Sequence, residues 1–380
     1  MNSDRARIVL APDKFKGSLT ADEVVAAMTL GCADVGLDAR CVSLPIADGG
    51  DGSVEAALRA GWTARDLPTV DAWGQPIEAT TAIQGDHAIV EIASICGMSG
   101  VQLTPEHALT ASSHGVGVVI RSLLDEGIHH IIVGLGGSAT TDGGAGMLAA
   151  LGMTLRDAAG NPVEPTGIRL LSLADVDATG LDPRLSSAHL TMACDVDTPM
   201  VGIDGSAEVF ARQKGADDDG IRLLSASLAH LAAVVEPAVD RVGLHRAPGS
   251  GAAGGLAWAG LALGAELRSG ADLFLDMLGA RGHIAGARLV LTGEGSLDAQ
   301  SLRGKAPVAV ARSAAELGVP TMAIVGTNRL TPTDIGDPFV DVVALDRIDS
   351  RCADDPAITR TLLRQATADL LTRHLGLGHT

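Results

Sequence analysis

The feature that most limits how this chain can fold is the way its glycines gather where apolar runs end. The run Ile131-Ile-Val-Gly-Leu-Gly-Gly-Ser-Ala-Thr-Thr-Asp-Gly-Gly-Ala-Gly-Met147 starts as a buried strand and leads into a helical stretch over 147–151. Strand, glycine loop and helix in that order are the ingredients of an α/β fold. Glycine reaches backbone conformations that other residues avoid, so its amides can approach a ligand closely, and the following helix N-terminus adds partial positive charge. Phosphate is the expected guest. Ser138, Thr140 and Thr141 add hydroxyl donors, and Asp142 is placed to cap the helix or orient a metal-bound water. Tight packing at a turn is the competing reading. The same junction returns at Pro248-Gly-Ser-Gly-Ala-Ala-Gly-Gly255, where a nucleotide cradle and close backbone packing without a ligand are equally good accounts.

The chain ends repeat a strand–helix rhythm. Residues 7–11 and 39–46 read as strands, with a helix between them opened by the capping box Thr20-Ala-Asp-Glu23. Residues 288–292 and 320–325 read as strands around a helix that starts at Pro307, and 340–345 adds another strand. Ile358, Leu362, Leu363, Ala366, Leu370 and Leu371 mark an amphipathic terminal helix. This alternation predicts a parallel, doubly wound sheet built from residues 1–68 and 283–380. Residues 69–282 are punctuated differently and read as an inserted α/β domain.

Composition narrows the function. With 46% hydrophobic and 19% charged residues among 380, the chain is neither disordered nor collagen-like. A net charge of -18, from 46 acidic against 28 basic residues, repels phosphate polymers and anionic lipid, so neither nucleic acid nor a membrane is an expected partner. Small anionic metabolites stay allowed, because a few cations and amides reverse the potential locally. Five cysteines, at 32, 41, 96, 194 and 352, form no CxxC pair, and a reducing cytoplasm is the expected compartment. The opening residues hold no signal-peptide core, and the near-apolar stretch 249–265 stops at Glu266, short of the ~20 residues a spanning helix needs. A soluble enzyme is expected.

Acids and lysines cluster beside the glycines at strand ends, where open parallel sheets bind ligands. Asp13, Lys14 and Lys16 follow the first strand, and Asp48-Gly-Gly-Asp51 follows the second. Cys194-Asp-Val-Asp-Thr-Pro199 sets Asp195 and Asp197 at the period-two spacing that puts both on one side of an extended segment, suited to magnesium or a general base. Lys214 follows, and Glu294, Asp298, Arg303 and Lys305 gather after the strand ending at Thr292. Solvated charged loops and Asp-Gly turns are the plain alternatives. A rival reading takes Gly134-Leu-Gly-Gly-Ser-Ala139 as a dinucleotide fingerprint with Asp157 as its ribose-binding acid, making the chain an NAD(P)-dependent oxidoreductase. Gly143, Gly144 and Gly146 weaken the helix it needs. A non-catalytic small-anion binding protein is the third class. No Walker-type loop occurs. His129 and His130 point to opposite strand faces and read as boundary residues, His114 as a loop histidine, and Trp62, Trp73 and Trp258 form no stacking platform.

The strings APDKFKGSLTA, PIADGGDGS, GLGGSATTDGGAGM, ACDVDTP, ARQKGA, PGSGAAGG and TGEGSLDAQSLRGKAP, in that order, resemble the bacterial type-1 glycerate kinase family over nearly the whole chain. Departures are Lys14 where Ser is frequent, Asp51 where Glu is frequent, and Thr141 where Asn is frequent. The resemblance implies two different α/β domains, one flavodoxin-like and assembled from both chain ends. It also implies transfer of the γ-phosphoryl group of ATP, with Mg2+, to D-glycerate, usually at the 2-hydroxyl. On that reading Asp195 and Lys16 are catalytic, and Lys14, Asp48, Gly49, Gly50 and Asp51 bind substrate. Gly136, Gly137, Ser138, Thr140, Lys214, Gly251 and Lys305 meet the phosphates of ATP, and Asp197, Glu294 and Asp298 bind the metal. A homodimer is compatible with it.

Overall fold

The structure is a computed structural model that describes residues 7–15, 17–36, 41–46, 52–298, 301–303, 305–331 and 338–375. The chain forms two compact units, Met1–Asp48 with Ser269–Thr380, and Gly49–Arg268. Strands β1 (Ile8–Leu10) and β2 (Cys41–Ser43) belong to the first. The second holds β3 (Thr63–Val70), β4 (Pro76–Gln84), β5 (His87–Glu91), β6 (His130–Gly134), β7 (Thr154–Asp157), β8 (Leu173–Asp177), β9 (His189–Ala193) and β10 (Glu266–Arg268). The chain then returns to the first unit with β11 (Leu289–Thr292), β12 (Ser296–Leu297), β13 (Thr321–Val325), β14 (Thr327–Asn328) and β15 (Asp341–Ala344).

In the first unit the sheet runs β15-β13-β11-β1-β2, and every pair is parallel. Counted along the unit, this is the 2-1-3-4-5 order of flavodoxin-like sheets, with the reversal between β1 and β11. Strands β1, β11 and β13 are buried along their whole length, which is why their sequences are apolar apart from the end residues Thr292 and Thr321. Alternate side chains feed two cores. Ile8, Leu10 and Leu291 pack with Met28 of helix Ala21–Asp34 and Leu363 of helix Pro356–Leu375. Val9 and Val290 pack with Leu275 of helix Gly270–Met277 and Val310 of helix Ala306–Glu316. The capping box is formed, with Thr20 accepting from the Glu23 amide and Glu23 from the Thr20 amide.

The second unit carries a mixed six-stranded sheet, β10-β9-β6-β5-β4-β3, parallel from β10 to β5 and antiparallel beyond. Its core gathers Val90, Ile131, Val133 and Met192 with one stripe of helix Asp218–Ala238, namely Ile221, Leu224, Leu228, Leu231 and Val235. That 21-residue helix is long and apolar enough to cross a membrane by composition. Its stripe lies in the core of the unit instead, whereas the stretch weighed from the sequence, 249–265, divides into a short turn and the helix Leu256–Ala262.

The joins expected at 68/69 and 282/283 fall elsewhere. Helix Ser53–Arg59 and β3 go with the second sheet, because β3 pairs with β4 over eight residues and Glu91, at the end of β5, accepts from the amides of Ser53 and Val54. Helix Gly270–Met277 goes with the first, because Ala271 and Leu275 join the core under Val290.

Candidate active site

In an open parallel sheet the loops on either side of the order reversal diverge and leave a crevice at the strand ends. Here the loop after β1 runs along the extension of β11, with Asp13 N donating to Gly293 O at 2.8 Å and Thr292 Oγ1 to Ala11 O at 2.7 Å. The loop folds back on itself through Phe15 and Leu19, and Ser18 Oγ meets Thr359 Oγ1 of the terminal helix at 3.0 Å. After β11 the chain passes so close to the segment after β13 that a Cβ on Gly293 would lie 2.1 Å from Ile324 O, and one on Gly326 2.4 Å from Gly295 O. These glycines serve backbone contact, and that contact sets Glu294 beside Thr327.

The result is a cavity of about 380 Å³ whose lining includes Asp13, Lys14, Glu294, Asp298, Lys305 and Thr327. Lys14, Glu294, Asp298 and Lys305, selected separately from the sequence, therefore share one site. Lys305 Nζ stands 4.0 Å from Asp298 Oδ1. Asp298 is held by Ser301, whose amide donates to its Oδ1 at 3.2 Å. Ser18, Thr327 and Thr359 also line the cavity, and the sequence reading passed over them. Thr327 had a signal, since only Gly326 separates it from the end of a strand; Thr359, in the first turn of a helix, had none. Lys16, Asp48, Gly49, Gly50 and Asp51 lie outside the described residues. Cations, carboxylates and hydroxyls in a volume of this size suit a small polar acid or a phosphate.

In the second unit the corresponding loops follow β6 and β9. The loop 135–144 has two different halves. In the far half Asp142 is buried, and its carboxylate accepts from Ser113 N and Ser113 Oγ at 2.7 Å and from Gly144 N and Gly146 N at 3.1 Å. Burial pushes this carboxyl up while those four donors pull it down. The start of helix Ala145–Ala150 is thus closed by an acid of its own loop. In the near half Gly136 is half-buried and Gly137 exposed at φ +77°, and among the described residues neither amide has a backbone acceptor. Ser138 and Thr140 are buried, and Lys214 Nζ donates to Ser138 Oγ at 3.0 Å and Thr140 O at 2.6 Å. Burial lowers Lys214 to about 8 and pushes the neighbouring Cys96 thiol up to about 12. Of the phosphate-binding residues expected in this loop, only Gly136 and Gly137 face outward.

The dinucleotide reading loses its acid. The Asp157 carboxylate accepts from Ala159 N, Asn161 N and Asn161 Nδ2 within its own turn, after a crossover helix of only six residues.

After β9, Asp195 is half-buried and Asp197 exposed. Their loop is braced by the third glycine loop: Gly251 N donates to Thr198 O at 2.9 Å, and a Cβ on Gly251 would lie 2.2 Å from Pro199 O. Gly254 approaches the first loop in the same way, its Cβ position 2.0 Å from Thr140 O, and Gly143 N donates to Gly254 O at 2.9 Å. Gly251 is therefore a correction to the sequence reading: it is buried and its amide is engaged, so it supports the Asp195 loop and has no donor for a phosphate. At the opposite, N-terminal ends of β5, β6 and β9 His130 stacks between His87 and His189 at 4.5 and 4.8 Å. His114 opens helix His114–Asp125 instead of lying in a loop, and burial holds its ring below the ordinary histidine range.

Among the described residues no three His, Cys, Asp or Glu side chains are gathered to hold a metal unaided. Mg2+ commonly takes one or two carboxylates, several waters and the phosphates of a substrate, and Glu294 and Asp298, which line one cavity of the first unit, fit that habit.

A flavodoxin-like sheet with cations and acids at its order reversal, joined to a second α/β unit of interlocked glycine loops, is suited to an enzyme of small anionic substrates. The sequence matches the family described as Glycerate kinase family over residues 8–373. It is 42% identical to the Glycerate 2-kinase of Escherichia coli (strain K12), over 84% of this chain and 85% of that one. It is 39% identical to the Glycerate kinase of Bacillus subtilis (strain 168), with 84% and 85% covered. A crystal structure from Salmonella typhimurium LT2, assigned as a glycerate kinase 2, superposes with a TM-score of 0.80 at 37% identity, covering 98% of this chain and 100% of that one. The chain belongs to the glycerate kinase family.

Proposed function

We propose that the chain transfers the γ-phosphoryl group of ATP to the 2-hydroxyl of D-glycerate, releasing 2-phosphoglycerate and ADP, as a type-1 member of its family. The observation that carries this reading is the convergence of Lys14, Lys305, Asp13, Glu294 and Asp298 on one small cavity at the order reversal of a parallel sheet. Glycerate presents a carboxylate that needs a cation and two hydroxyls that need hydrogen-bond partners. Phosphoryl transfer needs positioning, charge neutralisation and an acceptor for the hydroxyl proton.

Lys14 and Lys16 hold the carboxylate of glycerate, and Asp48 and Asp51, spaced by Gly49 and Gly50, hold its hydroxyls. Lys305 neutralises charge on the transferred group, and the outward amides of Gly136 and Gly137 meet phosphate oxygens. Asp195 accepts the proton of the attacking hydroxyl. Asp197, Glu294 and Asp298 are the carboxylates that hold Mg2+, which when bound neutralises the nucleotide phosphates. Five free cysteines support work in the cytoplasm.

The test supplies D-glycerate, ATP and magnesium together with enolase and no phosphoglycerate mutase. Phosphoenolpyruvate forms if the product is 2-phosphoglycerate. ADP without phosphoenolpyruvate overturns the choice of hydroxyl, and no glycerate-dependent ADP overturns the kinase reading for this chain.

A further inference from the structure

We infer that Lys214 is a positioning residue, which fixes the conformation of the glycine loop 135–142 from beneath and does not itself touch the nucleotide. The inference rests on the reading that Gly136 and Gly137 meet nucleotide phosphates, and it changes what the one lysine in ARQKGA does.

Lysine is almost never fully buried unless its ammonium is satisfied by protein. Lys214 is 2% exposed, so a phosphate cannot reach it without opening the loop. Its bonds go to Ser138 Oγ and Thr140 O, 76 and 74 positions away in sequence. The side chain is delivered by the short turn Arg212–Lys214, which Gly215 ends at φ +101°, where a Cβ would lie 2.8 Å from Thr104 O. No larger residue follows the lysine without moving that turn.

The loop is tied at its two ends by Leu135 N, which donates to Ala193 O at 3.1 Å, and by the Asp142 carboxylate, which accepts from Ser113 N and Oγ at 2.7 Å. Met98 N donates to Gly137 O at 3.1 Å, Ala139 N to Cys96 O at 2.8 Å, and Gly143 N to Gly254 O at 2.9 Å. Lys214 supplies the anchors at 138 and 140 between them. With positions 137 to 140 pinned in succession, the peptide before them is held with Gly136 and Gly137 outward. Burial lowers the ammonium to about 8, the behaviour of a charge enclosed by protein, with Cys96 and Asp142 opposing the shift.

The test is Lys214→Met, which keeps most of the unbranched stem of the side chain and removes its ammonium donors, read by hydrogen–deuterium exchange and steady-state kinetics. Without nucleotide, exchange over residues 135–142 is expected to rise about tenfold or more while β3 and β4 stay as in the wild type, and KM for ATP to rise about tenfold, as for a displaced contact. KM for D-glycerate and kcat at saturating ATP stay within about threefold. Unchanged loop exchange in the variant overturns the inference, and so does a large fall in kcat with KM for ATP unchanged. The underlying reading is tested separately on wild-type protein: if ADP fails to protect residues 135–142, the loop does not hold nucleotide, whatever the variant does to its mobility. Where Lys214→Met does not accumulate folded, Ser138→Ala removes one of the two bonds and keeps the lysine; it must loosen the same peptide to a smaller degree, and no change there overturns the inference.

Discussion

Replacing Gly251 by alanine separates two accounts of the glycine loops. The residue sits at φ -81° and ψ -5°, which alanine adopts freely, so the backbone itself resists nothing. The obstacle is contact. The new Cβ would lie 2.2 Å from Pro199 O, 2.7 Å from Pro199 C and 2.9 Å from Thr198 O. Carbon and oxygen approach each other to about 3.3 Å, so the 194–199 loop must retreat by roughly 1 Å. The retreat stretches the 2.9 Å bond from Gly251 N to Thr198 O. Overpacking costs about 1–3 kcal/mol and a weakened hydrogen bond about 1 kcal/mol more. At about 2–4 °C per kcal/mol for a unit of this size, thermal unfolding should begin roughly 5–15 °C earlier. The same retreat carries Asp195 and Asp197 with it, and under the roles proposed for them a displacement of about 1 Å costs about a hundredfold in turnover. Scanning calorimetry and the enolase-coupled assay read both effects. Wild-type unfolding and wild-type turnover in Gly251→Ala would refute the packing argument. A raised KM for ATP with unfolding unchanged would make Gly251 a phosphate contact after all.

Asp195→Asn keeps the shape of its loop and removes the carboxylate proposed as proton acceptor; turnover should fall about 10²- to 10⁴-fold with unfolding nearly unmoved, and a variant within a few-fold of wild type ends that role. Gly31→Ala drives a methyl to 2.4 Å from Arg364 O and 2.6 Å from Thr367 Cβ. It should destabilise the first unit by about 1–3 kcal/mol in urea titration, and an unchanged midpoint would deny the close approach of helices Ala21–Asp34 and Pro356–Leu375. Glu236 offers a pH test: burial works to raise its carboxyl, but Trp258 Nε1, Gly243 N and His245 N outweigh it and hold the group below the ordinary glutamate range. A folded value below the unfolded one means that the ion stabilises the fold above about pH 4.3 and that this support is lost as the pH falls further, so Glu236→Gln should be less stable near neutrality and show a flatter acid limb.

What the sequence discloses depends on how local the cause is. Strands β1, β11 and β13 were legible because burial on both faces leaves a run that is apolar apart from an end residue, and the box at Thr20 and Glu23 because its partners are three residues apart. The join before β3 was not, since this edge strand exposes most of its side chains and carries no apolar alternation. The cavity of the first unit was legible in parts: a strand-end rule finds Lys14, Glu294, Asp298 and Lys305 one by one. It cannot find Thr359, whose place beside Ser18 depends on a helix 341 positions further along.

The glycines mark the boundary of what can be read. A glycine announces that something comes close and is silent about what it is. Gly137 and Gly251 stand in equally suggestive strings, yet one is exposed and the other faces Pro199 O, and nothing nearby in sequence distinguishes them. The same holds for cations: Lys305 and Lys214 look alike on paper, and only the packing of Ser138 and Thr140 around the second turns a presumed ligand into a brace. In this chain the charges at the strand ends of the first unit line one cavity, whereas small residues at strand ends mark first one backbone resting on another. A substitution at a glycine should accordingly be judged by the carbonyl it meets before any loss of binding is assigned to it.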